Sequence, residues 1–135
     1  MTKIIKKVEM FARDQEVVFT PHPSGYFGTL VLNNYIVVIG DKGDAIEFTA
    51  EVSPDFSSTS LADLPSELSS TLLLRNQDAH FVRWAIERGS DTKEYFYCCR
   101  TVLPYSAITE EAFAVIARSL YTECKFYDGI IRKYL

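Results

Sequence analysis

Two strand-like segments in the second half of the chain constrain the fold more than any other feature. Residues 80–88 (HFVRWAIER) and 93–103 (KEYFYCCRTVL) are rich in aromatic and β-branched side chains, and only the polar residues 89–92 separate them. Segments of this kind on either side of a short polar turn predict an antiparallel β-hairpin. The four-residue loop predicts a register with Arg88 opposite Lys93. One face of the hairpin then carries Val82, Trp84, Ile86, Tyr95, Tyr97 and Cys99.

The first half of the chain predicts further strands. Residues 45–52 (AIEFTAEV) alternate between apolar and polar side chains, which is typical of a half-buried antiparallel strand. Residues 16–20, 27–32 and 35–40 are also rich in β-branched residues. Between the last two lies Asn33-Asn34, and asparagine tolerates left-handed dihedrals. This pair is compatible with a tight hairpin turn or with a bulge inside one long strand.

Three helices complete the pattern. Residues 2–13 form one amphipathic segment, and leucines spaced by three or four predict a second helix that starts near Pro65 and stops at Asn76. Thr109, followed by two glutamates, is typical of the start of the last and longest helix. The predicted fold class is α+β: an antiparallel sheet of about five strands with helices packed against it, in the order α-β-β-β-α-β-β-α. A length of 135 residues suits a single domain over 1–135.

Charge and cysteine content limit the classes of function. The chain has 14 Lys and Arg residues against 18 Asp and Glu, a net charge of −4. This balance argues against a nucleic-acid binder and against binding to an anionic membrane, since both need basic surface. The first residues lack the apolar stretch of a secretory signal. Three cysteines, an odd number, then favour reduced thiols and a cytoplasmic protein.

Few residues offer chemistry. Cys99 and His80 would share a face of the predicted hairpin, so a thiol–imidazole pair in a small thiol-dependent enzyme or ligand-binding protein is one hypothesis. The alternative is that Cys99 fills the core, because a buried cysteine behaves as a small apolar group. No spacing of ligands fits a metal site, and Gly25 and Gly28 alone are a weak phosphate signal. We therefore expect no catalytic residue, no metal and no cofactor.

Apolar residues outside the predicted core point instead to binding surfaces. The last helix has Phe126 and Ile130 outside its main apolar stripe, which predicts that they contact a second subunit in a homodimer. The alternative is that the polar loop 53–63 covers the excess apolar surface. On the second face of the hairpin, amid charged residues, the predicted partner contacts are Phe81, Ala85, Phe96 and Cys98.

With this order of elements, the chain resembles the YbjN family and the class I type III secretion chaperones of the Tir-chaperone kind. The segments that carry the resemblance are AIEFTAEV, LADLPSELSSTLLLRNQ, HFVRWAIERGSDTKEYFYCCRTVLP and ITEEAFAVIARSL. Asn76 after a helix, Pro104 at the end of a strand and residues 109–111 at a helix start match the family pattern. The resemblance covers nearly the whole chain and rests on structural residues.

The resemblance implies an α+β protein, commonly dimeric, that binds segments of other proteins and performs no chemistry. Secretion chaperones hold an extended effector segment against hydrophobic patches, whereas YbjN-like proteins are described as regulators. No catalytic residue is carried over to this chain. The sequence therefore predicts a cytoplasmic, homodimeric, non-enzymatic module, chaperone-like or regulatory, that captures a partner segment on apolar surface and at sheet edges.

Overall fold

The computed structural model describes residues 1–52 and 56–135. These residues form an antiparallel sheet and three α-helices. The strand order across the sheet is β1-β2-β3-β4-β6-β5. The helices are α1 (Lys3–Asp14), α2 (Ser66–Arg75) and α3 (Glu110–Ile131). The strands are β1 (Val18–Pro21), β2 (Phe27–Leu32), β3 (Tyr35–Asp41), β4 (Ala45–Glu51), β5 (Arg83–Arg88) and β6 (Tyr95–Pro104).

The predicted fold class is confirmed, and the choice left open at Asn33-Asn34 is decided. β2 and β3 pair as antiparallel neighbours with Leu32 opposite Tyr35, so the two asparagines form a hairpin turn and not a bulge. Asn33 has a left-handed φ of 58°, which asparagine adopts more easily than most residues. The turn divides one expected strand into two, so the sheet has six strands where about five were predicted.

The core lies between one face of the sheet and the helices. Alternate residues of β2, β3 and β4 are buried, and the buried apolar residues of all three helices join the same cluster, together with Tyr97 and Cys99 of β6. Phe113 of α3 links the layers, with ring centroids 6.1 Å from Phe11 of α1 and 6.3 Å from Phe48 of β4. Full burial of a Leu, Ile or Phe side chain contributes about 1.5–3 kcal/mol. Within residues 1–52 and 56–135 the three helices pack on this face alone, and no helix covers the opposite face of the sheet.

Threonine hydroxyls cap two of the helix starts, and the one at Thr109 is as predicted. The hydroxyl oxygen of Thr2 accepts a hydrogen bond from the Ile5 N–H at 3.3 Å. Thr109 does the same for the Ala112 N–H at 3.1 Å. Each hydroxyl satisfies a backbone donor that the first turn leaves without a helical partner. Asn76 is the C-terminal cap of α2, as predicted.

The predicted hairpin register is wrong by two residues. Arg88 lies opposite Tyr95 and not opposite Lys93. The cause is that pairing extends to Gly89, whose N–H donates to the Glu94 carbonyl at 2.9 Å, so the turn is residues 90–93. Lys93 enables this turn with a left-handed φ of 59°. Because the shift is an even number of residues, every side chain of β5 and β6 stays on its predicted face, whereas Phe81 precedes β5 and does not.

Candidate partner-binding surface

The uncovered face of the sheet, called the open face here, is apolar over β1, β2 and β3. Val18, Val31 and Ile36 lie side by side across these strands and are 64%, 36% and 52% exposed. We call these three side chains the apolar row. By the alternation of the strands, the open-face residues of β1 to β3 are Val18, Thr20, Phe27, Thr29, Val31, Ile36, Val38 and Gly40, none of them charged.

The open face over β4, β6 and β5 is charged and internally paired. Arg100 of β6 lies between Glu47 of β4, with Nη2 and Oε2 3.6 Å apart, and Glu87 of β5, whose carboxylate accepts a hydrogen bond from Nη1. These side chains surround Cys98, which has no exposed surface. Burial raises the pKa of the Cys98 thiol to about 12. Two carboxylates therefore share the Arg100 cation at the centre of this half.

Three of the predicted partner contacts come together on the charged half of the open face. Ala85 and Cys98 are direct neighbours in the β5–β6 register, and Phe96 lies opposite Glu87. Ala85 and Phe96 are half-buried. Cys98 is fully buried and offers a partner no contact area. The structure thus supports a shared location for these residues, with Cys98 as packing beneath the charged side chains.

Phe81, the fourth predicted contact, lies apart from the other three. It precedes β5 and its side chain is 64% exposed. With Leu103, Val115 and Ile116 it lines an apolar hollow of about 330 Å³ on the helix side of the sheet. Its backbone has a φ of 71°, a left-handed conformation that is uncommon for a bulky residue.

The predicted subunit contacts, Phe126 and Ile130, are half-buried on α3 and pack against the core. The Arg75 guanidinium lies 4.5 Å from the centre of the Phe126 ring, so this ring is partly covered within the chain. Beside Arg75 on α2, the side chains of Leu73 and Leu74 are exposed, and the sequence analysis did not single them out.

The environments of Cys99 and His80 disfavour a catalytic pair. Cys99 lies in the core with no exposed surface, and burial raises the pKa of its thiol far above the ordinary value. His80, in contrast, is exposed. A nucleophilic cysteine needs an accessible thiolate, which this environment disfavours. Within the same residues, no group of three or more His, Cys, Asp or Glu side chains could hold a metal ion.

The glycines of the weak phosphate signal have structural roles. The Gly25 carbonyl accepts a hydrogen bond from the Thr2 N–H at 3.0 Å, and its φ of 80° suits glycine. At Gly28, a Cβ atom would lie 2.3 Å from Cζ of Phe19, so only glycine fits beneath that ring. The spacing therefore serves the β1–β2 hairpin and the attachment of the N-terminus.

The two edges of the sheet differ in how accessible their backbone is. On β5, alternation turns the N–H and C=O of Trp84 outward. The Asn76 side chain bonds both: its Oδ1 accepts from the Trp84 N–H at 2.6 Å, and its Nδ2 donates to the Trp84 carbonyl at 3.0 Å. The carboxamide thus occupies the place of a neighbouring strand. On β1, the same alternation turns the backbone N–H and C=O of Phe19 away from β2, toward the open edge of the sheet. Pro21, also on this edge, has no N–H.

Sequence reasoning missed the apolar row, although a signal for it exists. The segments FGTLVL and YIVVIG are apolar on both faces of their strands, a pattern typical of strands covered on both sides. The helices cover one side only. An unmatched second apolar face could therefore have been inferred from these two segments.

Comparison with known proteins establishes similarity at the level of the fold. No family model matches the chain, and no curated protein matches its sequence. YbjN from E. coli, a proposed transcription regulator, superposes with a TM-score of 0.59 at 17% identity over 87% of this chain and 83% of its own. Among the described residues, no helix is both long and apolar enough to cross a bilayer.

A chaperone–effector complex and a type III secretion chaperone give similar values. The HopA1–SchA chaperone–effector complex matches with a TM-score of 0.61 and 12% identity, covering 92% of this chain and 93% of the other. The Yersinia pestis type III secretion chaperone SycH, in complex with a fragment of YscM2, matches with a TM-score of 0.57 and 13% identity over 90% and 96%. The chain has the fold of these chaperones and of YbjN.

Proposed function

We propose that this protein is a non-enzymatic, cytoplasmic binding module, chaperone-like or regulatory, that captures a segment of a protein partner on its open face. The observation that carries the proposal is the apolar row. It is exposed on a part of the open face where, among residues 1–52 and 56–135, the strands carry no charged side chain and no helix packs. Contiguous exposed apolar surface on a small protein is typical of an interaction site.

The β1 edge adds a second means of binding beside the apolar row. An extended segment laid along β1 would bond the outward N–H and C=O of Phe19. Its side chains would then reach Val18 and Val31, while the β5 edge is closed at Trp84 by Asn76. The β1 edge and the apolar row thus lie in the same half of the sheet. This arrangement favours capture of one extended segment by both.

The fold neighbours support a partner that is a protein. Two of them are described as chaperones in complexes with another protein. The predicted contacts Phe81, Ala85, Phe96 and Cys98 stay a prediction: on this proposal Ala85 and Phe96 border the surface that a longer segment would follow, and the apolar row supplies most of the affinity.

We also propose that the protein is a homodimer that uses Phe126 and Ile130, extended by the exposed Leu73 and Leu74. A half-buried aromatic ring beside exposed leucines provides apolar area that a second copy can cover. Sedimentation at increasing concentration is expected to give a dimer, and Leu74→Asp to shift it toward monomer. A strict monomer at high concentration would remove this part of the proposal.

Site-specific photo-crosslinking tests the capture surface. A photoreactive residue at position 36, in the apolar row, is expected to give a discrete adduct with one protein in the native cell. The matched control is position 102, where Val102 is also an exposed aliphatic residue on the open face but lies on β6 in the charged half. Equal adducts from both positions, or none from position 36, would contradict the proposal.

A further inference from the structure

A groove runs beside α3, on the side of the first three strands. Its first part is a hollow of about 590 Å³ whose lining includes Val18, Val31, Ala117, Arg118 and Tyr121. Its second part is a hollow of about 300 Å³ lined by Tyr35, Lys125, Asp128, Gly129 and Arg132. Tyr121 lines the first hollow and Tyr35 the second, and their rings lie edge to face with centroids 5.7 Å apart. We call the combined surface the α3 groove.

Three cations follow the α3 groove at regular intervals. Arg118, Lys125 and Arg132 are seven residues apart along α3, so they lie on the same side of the helix, about 10.5 Å from one to the next. All three are exposed. None of them forms an ion pair with another residue of the ranges 1–52 and 56–135. Since the whole chain has a net charge of −4, this stripe is a local exception.

The acidic groups of the groove do not cancel the stripe. Asp128 is engaged by Tyr35, whose hydroxyl donates to its Oδ2 at 2.5 Å. Glu16 lies at the opposite end, in the first hollow. The Nζ of Lys125 lies 5.6 Å from the centre of the Tyr121 ring. Three cations therefore face two carboxylates, one of which already accepts a hydrogen bond.

We propose that the α3 groove docks an acidic amphipathic helix of a protein partner. Apolar side chains of that helix would cover Val18, Val31 and the Tyr35–Tyr121 pair. Its carboxylates would face the cations, and a spacing of seven residues matches positions two turns apart on a helix that lies alongside α3. A stretch of about 15 residues spans the roughly 21 Å from Arg118 to Arg132.

A nucleic acid is the other polyanion to consider, and the observations favour it less. Sequence-independent binding to phosphates uses many cations, whereas this groove has three and a wall of aliphatic side chains. The inference depends on the proposed function only in that both require a protein partner. It shares Val18 and Val31 with the apolar row, but the three cations line the α3 groove alone and Ile36 belongs to the apolar row alone, so each can fail while the other holds.

The experiment uses the full chain and two designed helical peptides of about 18 residues, long enough to span the cations. Both carry leucines on one face; one has glutamates beside them at seven-residue spacing, and the other has lysines at the same positions. By fluorescence anisotropy we expect the glutamate peptide to bind at least about tenfold more tightly at low salt, with binding that weakens as salt is added.

A matched pair of variants separates the groove from the overall charge. Arg118→Gln, Lys125→Gln and Arg132→Gln together are expected to weaken binding of the glutamate peptide about tenfold, as the sum of exposed ion pairs. Lys3→Gln, Lys6→Gln and Lys42→Gln remove the same charge from exposed positions that line neither hollow, and should leave binding unchanged.

Four results would overturn the inference. These are no binding of the glutamate peptide, equal binding of the lysine peptide, equal loss in both triple variants, or binding of a single-stranded oligonucleotide that displaces the peptide. Persistence of the position-36 crosslink in the groove variant would show that the proposed function stands even if the groove has no partner.

Discussion

On the open face, β4, β6 and β5 carry Glu47, Arg100 and Glu87 as a continuous ion-paired group, whereas β1 to β3 carry aliphatic side chains and threonines without a charge. The edges differ in the same sense. The Trp84 backbone on β5 is bonded by Asn76, and the Phe19 backbone on β1 turns outward. The half with β5 is thus completed by its own chain, and the half with β1 offers apolar surface and an edge.

This difference teaches where a partner gains most. A partner that binds the other half would have to displace the ion pairs around Arg100. It would then have to pair each of these charges again while removing water from them, which costs binding free energy. Covering Val18, Val31 and Ile36 requires only the removal of water from apolar surface, worth roughly 25 cal/mol per Å². The sequence pattern alone suggested the opposite location, because aromatic residues concentrate in the β5–β6 hairpin.

The largest expected effect follows from opening the closed edge. Asn76→Ala removes two hydrogen bonds from the partly buried Trp84 backbone and is expected to cost about 2–3 kcal/mol in the free energy of unfolding. Urea denaturation measures this loss. The same variant should self-associate more strongly in sedimentation, because an exposed edge strand pairs with other chains.

Asn34→Ala is the matched control, since Asn34 lies exposed in the β2–β3 turn and is expected to change stability by less than about 0.5 kcal/mol. Equal stability losses in the two variants would mean that the Asn76 side chain does not close the edge. The contrast between the edges would then have no energetic basis.

A smaller effect follows from removing the central charge of the paired half. Arg100→Met keeps an apolar stem but leaves Glu47 and Glu87 without their shared cation, and we expect a loss of about 1–2 kcal/mol in unfolding free energy. Cys98 should then react faster with a thiol reagent, while Cys124, which is buried elsewhere on α3, should not. Mass spectrometry of labelled peptides distinguishes the two thiols.

Arg100→Lys retains a cation and is expected to lose less stability and to protect Cys98 better than Arg100→Met. If Cys98 reacted at the same slow rate in all three proteins, its burial would depend on the β5–β6 backbone and not on the ion-paired side chains. The ion-paired side chains would then not shield the charged half of the open face from solvent, and this contrast with the apolar half would be lost.

Much of this fold could be predicted because local chemistry determines it. Helix caps at Thr2 and Thr109 and the alternation of β4 depend on near neighbours in sequence. The hairpin register could not be predicted, because it depends on whether the backbone of Lys93 adopts a left-handed conformation. The candidate surface escaped prediction for a different reason: which face of β2 and β3 the helices cover is a property of the assembled layers.

The smallest expected effect comes from Phe96, which distinguishes the predicted surface from the one the structure favours. Phe96→Asp places a carboxylate opposite Glu87 on a half-buried site and should cost about 1 kcal/mol of stability or less. If capture depends on the apolar row, this variant leaves the position-36 crosslink intact, whereas Val31→Glu, next to Ile36 in the row, abolishes it. The reverse result, with crosslinking lost in Phe96→Asp and kept in Val31→Glu, would move the partner to the β5–β6 hairpin. Both substitutions lie at exposed or half-buried positions, so we expect the core to stay intact, and circular dichroism checks that each variant is folded. A lost crosslink in a folded variant then reports on the binding surface.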